Sequence, residues 1–170
     1  PIHLPDSPTP AKIEFKKITF RYPGTTRDIL HDFSLIIESG EKVAFVGENG
    51  AGKTTIIKLL LRFYDVDEGE ILINGINIKE IDIDAWREHV GALFQDFIKY
   101  QFTFQENVVF GNVQQKPNAL RIEDAVKKSG ADSIVAHLPN AYNQVLGKMF
   151  DGGVDLSGGQ WQKLALARAF

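Results

Sequence analysis

With 170 residues, 44% of them hydrophobic and 24% charged, the chain has the size and composition of one soluble globular domain with a sizeable core. It has no cysteine, which rules out disulfides and thiol chemistry, and a net charge of −3 gives it no bulk attraction to nucleic acid or acidic lipid. The histidines (His3, His31, His89, His137) are scattered without metal-ligand spacing, and no apolar run approaches the ~18–20 residues that span a bilayer.

The chain opens on a proline-rich stretch, Pro1 to Pro10, which reads as an extended linker. Strand-like alternation follows: Ile13 and Phe15 share one phase, Ile18, Phe20 and Tyr22 another, and the slip at Lys16-Lys17 predicts a bulge or a bend. Pro23-Gly24 predicts a turn, and Phe33, Leu35 and Ile37 alternate again. Val43 to Val46 is a short apolar run that reads as a buried strand, and Ile56 to Leu61 reads as a helix that starts at Lys53 and ends near Tyr64. Asp67-Glu68-Gly69 reads as a turn. Ile71 and Ile73 form a short strand closing on Asn74-Gly75, a strong hairpin signal. Asp84 is a candidate N-cap for a short helix around Trp86, and Val90 to Phe94 reads as another buried strand. Thr103-x-x-Glu106 has capping-box spacing, Arg121 to Ser129 reads as a helix stopped by Gly130, and Asp132 to His137 as one more helical turn.

The residues with the sharpest chemistry are Gly47-Glu48-Asn49-Gly50-Ala51-Gly52-Lys53-Thr54, followed by Thr55. They fit G-x-x-x-x-G-K-[ST] at every fixed position, between a predicted strand and a predicted helix. A glycine-rich loop at a helix N-terminus turns several backbone N–H groups toward one point, and that point attracts anions. Gly47, Gly50 and Gly52 are expected to supply positive φ and close approach to phosphate. Lys53 can reach the outer phosphates, and the Thr54 hydroxyl can ligate Mg²⁺.

Leu156-Ser157-Gly158-Gly159-Gln160 is a second such feature. Ser157-x-x-Gln160 is a capping box that starts a helix from Trp161, and the glycines leave its first N–H groups open to an approaching anion. Local physics allows two readings of this stretch: an ordinary capped helix, or a second phosphate site.

Together these stretches resemble the nucleotide-binding domain of ATP-binding cassette (ABC) transporters. Residues 47–54 match the family's Walker A motif and residues 156–160 its signature motif, while Phe94-Gln95-Asp96 resembles the Q-loop and Arg21-Tyr22-Pro23-Gly24 the A-loop. The proline-rich lead-in, with Glu106-Asn107-Val-Val-Phe-Gly111, is similar to exporter-type cassettes. The resemblance implies an α/β fold: a P-loop NTPase core sheet, an N-terminal antiparallel β-subdomain, and a helical subdomain over about residues 97–154. Residues 1–11 would then be the linker from a transmembrane domain fused upstream, and 12–170 a partial cassette. The family's Walker B strand, with the catalytic Glu, follows the signature helix, so the C-terminal part of the core and the general base are expected beyond Phe170.

It implies further that ATP and Mg²⁺ bind at Tyr22, Gly47 to Thr55 and Gln95. Tyr22 would stack on adenine, Thr54 and Gln95 would attend the metal, and Lys53 and Gln95 would act in hydrolysis. Two cassettes, identical or related, would pair head to tail, Leu156 to Gln160 of each meeting the ATP of the other. ATP hydrolysis would then power export, at the cytoplasmic face of the cell membrane, with no nucleic-acid partner. A soluble ABC ATPase of DNA repair or chromosome type is the alternative, opposed by the uninterrupted spacing from Thr54 to Leu156. A further alternative is a nucleotide-binding module, inactive as this fragment. The aromatic stretch Phe97, Tyr100, Phe102, Phe104 is expected to be either a docking face for the membrane domain or part of the helical subdomain's interior.

Overall fold

The computed structural model describes residues 2, 9–112 and 118–170, so most of the predicted linker, residues 1 and 3–8, lies outside the described residues. The chain divides into two compact units, Pro1–Val90 and Gly91–Phe170.

The first unit is built on a four-stranded antiparallel sheet, order β2-β1-β3-β4, from β1 (Ile13–Phe20), β2 (Leu30–Ile37), β3 (Glu68–Ile73) and β4 (Ile76–Asn77). The predicted slip in β1 is a bulge: the register to β2 shifts between Phe15 and Ile18, and Lys17 takes φ 48°. The extra residue returns Ile18 and Phe20 to the buried face after Phe15. Gly69 answers the bulge from within β3, where a turn was expected. Its φ is 79°, and a Cβ there would run into the carbonyl oxygens of Lys16 and Lys17, so only glycine lets the two backbones pass. The hairpin at Asn74-Gly75 has φ of 50° and 82°, the left-handed pair that a two-residue connection requires.

The helix α1 (Lys53–Leu60) lays Ile56 and Leu59 into the same core as Phe15, Phe20, Ile71 and Ile73. It stops a turn earlier than the sequence predicts, because Arg62 takes φ 52° and the chain turns. The helix α2 (Ile83–Glu88) seals that end: Trp86 Nε1 donates to Leu60 O (2.7 Å) and Arg87 Nε to Leu61 O (3.2 Å), satisfying late carbonyls of the turn. Its N-cap is Asp82, whose Oδ1 accepts from Ala85 N at 3.0 Å, and not Asp84, which lies in the first turn.

Two expected strands do not form. Val43 to Val46 has no strand structure and is mostly exposed, Val46 to 95%. Val90 to Phe94 likewise carries none. An apolar run becomes a strand only when a neighbour takes its N–H and C=O groups, and among the described residues the sheet pairs β1 to β4 alone.

The second unit is helical: α3 (Phe104–Val109), α4 (Ala119–Ser129), α5 (Asp132–Val135) and α6 (Gly158–Ala167), with a 3₁₀ turn at Ala141–Asn143. Thr103 and Glu106 form the predicted capping box of α3. Asn118 caps α4, and Gly130 ends it in the left-handed conformation, φ 69°. Phe104, Val108, Ile122, Val126, Leu146, Trp161 and Leu164 make its core. Short bridges, Thr103 to Val145 and Leu146 to Val154, tie the start of α3 to the segment leading into α6.

Candidate functional site

In the first unit the loop from Gly47 to Ala51 is exposed and ends at Gly52, which is buried beneath the start of α1. Positive φ falls at Gly50 (88°) and Gly52 (86°); Gly47, expected to share it, does not. Gly52 has a second reason to be glycine. A Cβ there would lie 2.9 Å from Leu30 Cδ2 and 3.3 Å from the Ile29 carbonyl oxygen. The loop is closed by Ala51 N donating to Glu48 O at 3.2 Å.

Lys53 folds back over the loop, its Nζ donating to Gly47 O at 2.7 Å and Glu48 O at 2.6 Å. A cation is therefore held at the mouth of a backbone turn at the positive end of a helix dipole, with Thr54 exposed beside it. Such an arrangement of loop amides and ammonium attracts anions.

Tyr22 reaches the same helix. Its hydroxyl lies 3.0 Å from Thr55 Oγ1, which is itself buried, and Lys58 Nζ sits 5.6 Å from the ring centroid. The half-buried ring packs edge-on with Phe20 and Tyr64. Its backbone is anchored on both sides: Arg21 N donates to Asp67 Oδ2 (2.8 Å), and Thr25 N and Oγ1 donate to Tyr22 O (3.0 and 2.8 Å). Thus Tyr22 is brought to Thr55 and Lys58 on the helix that the loop from Gly47 leads into, with the contact to Lys58 legible only in the fold.

The second unit carries the remaining predicted residues. Gln95 is exposed in a turn with Asp96. At the start of α6, Ser157 Oγ accepts from Gln160 N (3.3 Å) and Gln160 Oε1 accepts from Ser157 N (2.8 Å), the predicted reciprocal cap. Leu156 is buried in the unit's core, so it anchors the turn, while Ser157, Gly158 and Gly159 are exposed. A Cβ at Gly158 or Gly159 would meet nothing within 4 Å. The fold itself gives no reason for either glycine.

The aromatic stretch splits. Phe104 is fully buried and Phe97 packs against the same core, so these two belong to the interior. Tyr100 and Phe102 instead form an outer cluster with Phe110, centroids 5.0–6.4 Å apart, with Phe102, Phe110 and Ile98 exposed. Phe110 escaped the sequence reading because it joins the cluster from the far end of α3.

The sequence profile of the family described as ABC transporter matches residues 30–170. The chain belongs to this family. The subtilin transport ATP-binding protein SpaT of Bacillus subtilis is 44% identical over 158 residues, 93% of the chain and 26% of that relative. ABC transporter B family member 13 of Arabidopsis thaliana is 40% identical over 93% of the chain and 12% of its own length. A putative multidrug export ATP-binding/permease protein of Staphylococcus aureus is 40% identical over 94% of the chain and 27% of itself. Among solved structures, a bacterial Atm1-family ABC exporter with ATP bound superposes at a TM-score of 0.81 with 34% identity, covering 98% of this cassette chain and 29% of the exporter. The chain thus spans about a quarter or less of the length of these relatives.

Proposed function

We propose that this cassette binds and hydrolyses ATP to power export across a membrane, paired head to tail with a second cassette, identical or related, and joined to a transmembrane domain upstream. Gly47, Glu48, Asn49, Gly50, Ala51, Gly52, Lys53, Thr54 and Thr55 hold the phosphates, and Tyr22 offers its ring to adenine. Thr54 and Gln95 would hold Mg²⁺, which would neutralise phosphate charge, and Gln95 with Lys53 would serve hydrolysis by orientation and charge neutralisation. The exposed loop amides and the poised ammonium fit such a ligand. The exporter similar to this chain has ATP bound, and its relatives are named for transport and export. The site of action is the cytoplasmic face of the membrane.

The observation that carries the shared-site part of this reading is the pair Gly158-Gly159. Each glycine costs helix stability relative to alanine, by at most the roughly 0.5–1 kcal/mol seen in a helix interior, since both lie in the first turn. Neither is required by packing inside the chain. A ligand or a second chain approaching the first turn of α6 explains both. The outer cluster of Tyr100, Phe102 and Phe110 is the docking face for the membrane domain, narrowed from the stretch the sequence offered.

A complementation experiment tests the shared site in the full-length transporter. Lys53→Ala and Gly159→Asp each abolish ATP turnover alone. If two chains share each ATP, mixing them regenerates one intact site per mixed pair, and turnover returns. No recovery in verified mixed pairs refutes head-to-tail sharing.

A further inference from the structure

Arg168 closes the C-terminal end of α6 with an unusual set of partners. Its Nη1 donates to Ile98 O at 2.7 Å, its Nε to Asn107 O at 3.0 Å and its Nη2 to Asn107 Oδ1 at 2.8 Å, while the guanidinium lies 4.8 Å from the Tyr100 ring centroid. All three acceptors are neutral oxygens. Burial pulls the guanidinium pKa below its ordinary value, with the neighbouring Tyr100 acting against that pull, and an arginine stays charged regardless. A half-buried cation held by carbonyl dipoles is demanding of geometry, because each acceptor must sit where the fork points.

Asn107 completes the arrangement. It is fully buried in α3, and its Nδ2 donates to Tyr100 O and Thr103 O, both at 3.0 Å. One amide therefore holds the segment leading into α3 while its oxygen receives Arg168. Gly111 lies so close beneath that a Cβ would collide with the Arg168 carbonyl, leaving no slack between the end of α3 and the end of α6. At the other end of α6, ten residues or ~15 Å away, stand the open amides of Gly158 and Gly159.

We infer that Arg168 and Asn107 are positioning residues that lock the signature helix to the Tyr100–Phe102–Phe110 surface, so that α6 and that surface move as one body. Engagement at the first turn of α6 is then transmitted to whatever docks on the aromatic surface, and the reverse. This rests on the preceding reading that the first turn meets ATP and the aromatic surface meets the membrane domain. The specific claim is that the link runs through one bidentate guanidinium and one buried amide. Lysine at position 168 keeps the charge and loses the fork.

The test is made in the full-length transporter reconstituted in lipid vesicles, comparing wild type with Arg168→Lys. The readouts are ATP turnover with and without transported substrate, ATP KM and melting temperature. The expected result is a loss of substrate stimulation of about tenfold, with KM for ATP held within about twofold. Asn107→Asp is the second variant: it keeps an acceptor for Arg168 but removes the donors to Tyr100 and Thr103, and should uncouple likewise. Stimulation unchanged in either variant overturns the inference. So does a parallel fall of basal and stimulated turnover with melting temperature, the mark of a merely structural clamp. Wild-type protein that shows no ATP turnover would instead sink the functional reading on which the inference rests.

Discussion

Replacing Gly158 by alanine should raise the stability of α6 while lowering ATP turnover. The position is exposed, belongs to the first turn of a capped helix, and has open space where the methyl would go. It also lacks the positive φ that would penalise a side chain. Alanine's helix preference over glycine is then uncompensated, and because Gly158 is the first helical residue the gain is at most the ~0.5–1 kcal/mol of a helix interior. Local opening of the helix becomes correspondingly rarer, so exchange of the Trp161 amide, bonded to Ser157 O at 2.9 Å, should slow. The expected slowing is roughly two- to fivefold where exchange proceeds by local opening. Hydrogen exchange with mass spectrometry on the intact protein reads that change, and steady-state ATP turnover on the same sample reads the functional cost. Faster exchange would mean that the glycine serves internal packing after all. Unchanged turnover would mean that nothing approaches this turn closely enough to notice a methyl.

Gly52→Ala should behave in the opposite way, losing stability and nucleotide binding together. The left-handed backbone costs roughly 1–2 kcal/mol, and the clash with Leu30 and Ile29 adds about 1–3 kcal/mol of overpacking; denaturant unfolding with ATP titration checks both. Tyr22→Phe removes only the hydrogen bond to Thr55, at a cost of about 1 kcal/mol, and should keep ATP affinity within a few fold. Tyr22→Ala should weaken it further, and equal affinities for the two variants would refute a stacking role. Glu106 has its pKa lowered by the hydrogen bonds from Thr103, side chain first and backbone second. Its contribution is therefore fully present above the ordinary carboxylate range and is lost as pH falls through the depressed value. Glu106→Gln should flatten that acid limb in a pH series of melting temperatures.

What could be read from the sequence follows the range of the forces involved. The capping boxes at Thr103 and Ser157, the hairpin at Asn74-Gly75, the bulge at Lys16-Lys17 and the stop at Gly130 all arise within four residues of chain. Each was legible. The curved, glycine-bearing loop from Gly47 to Gly52 was legible for the same reason, apart from the φ of Gly47. The runs Val43 to Val46 and Val90 to Phe94 were misread because an apolar run records a tendency to be covered, whereas a strand also needs a partner elsewhere. The choice between Asp82 and Asp84 failed on a smaller scale. Both acids have the right chemistry, and the hydrogen bond from Asp82 N to Ile2 O places that residue just outside the helix. Arg168 gave no local signal at all, since its hydrogen-bond partners stand 61 and 70 residues away.

The two hydrogen bonds from Lys53 to its own loop carry an entropic consequence. Because the ammonium is already lodged against Gly47 O and Glu48 O, the loop is braced in its curved form before any anion arrives. On the proposed reading little conformational entropy remains to be lost on binding, and an incoming phosphate would compete with carbonyls for a cation that need not travel far. Arginine would carry the same charge on a longer planar group with donors fixed in a fork, so it would not reproduce the single-point contact that Lys53 makes with both carbonyls.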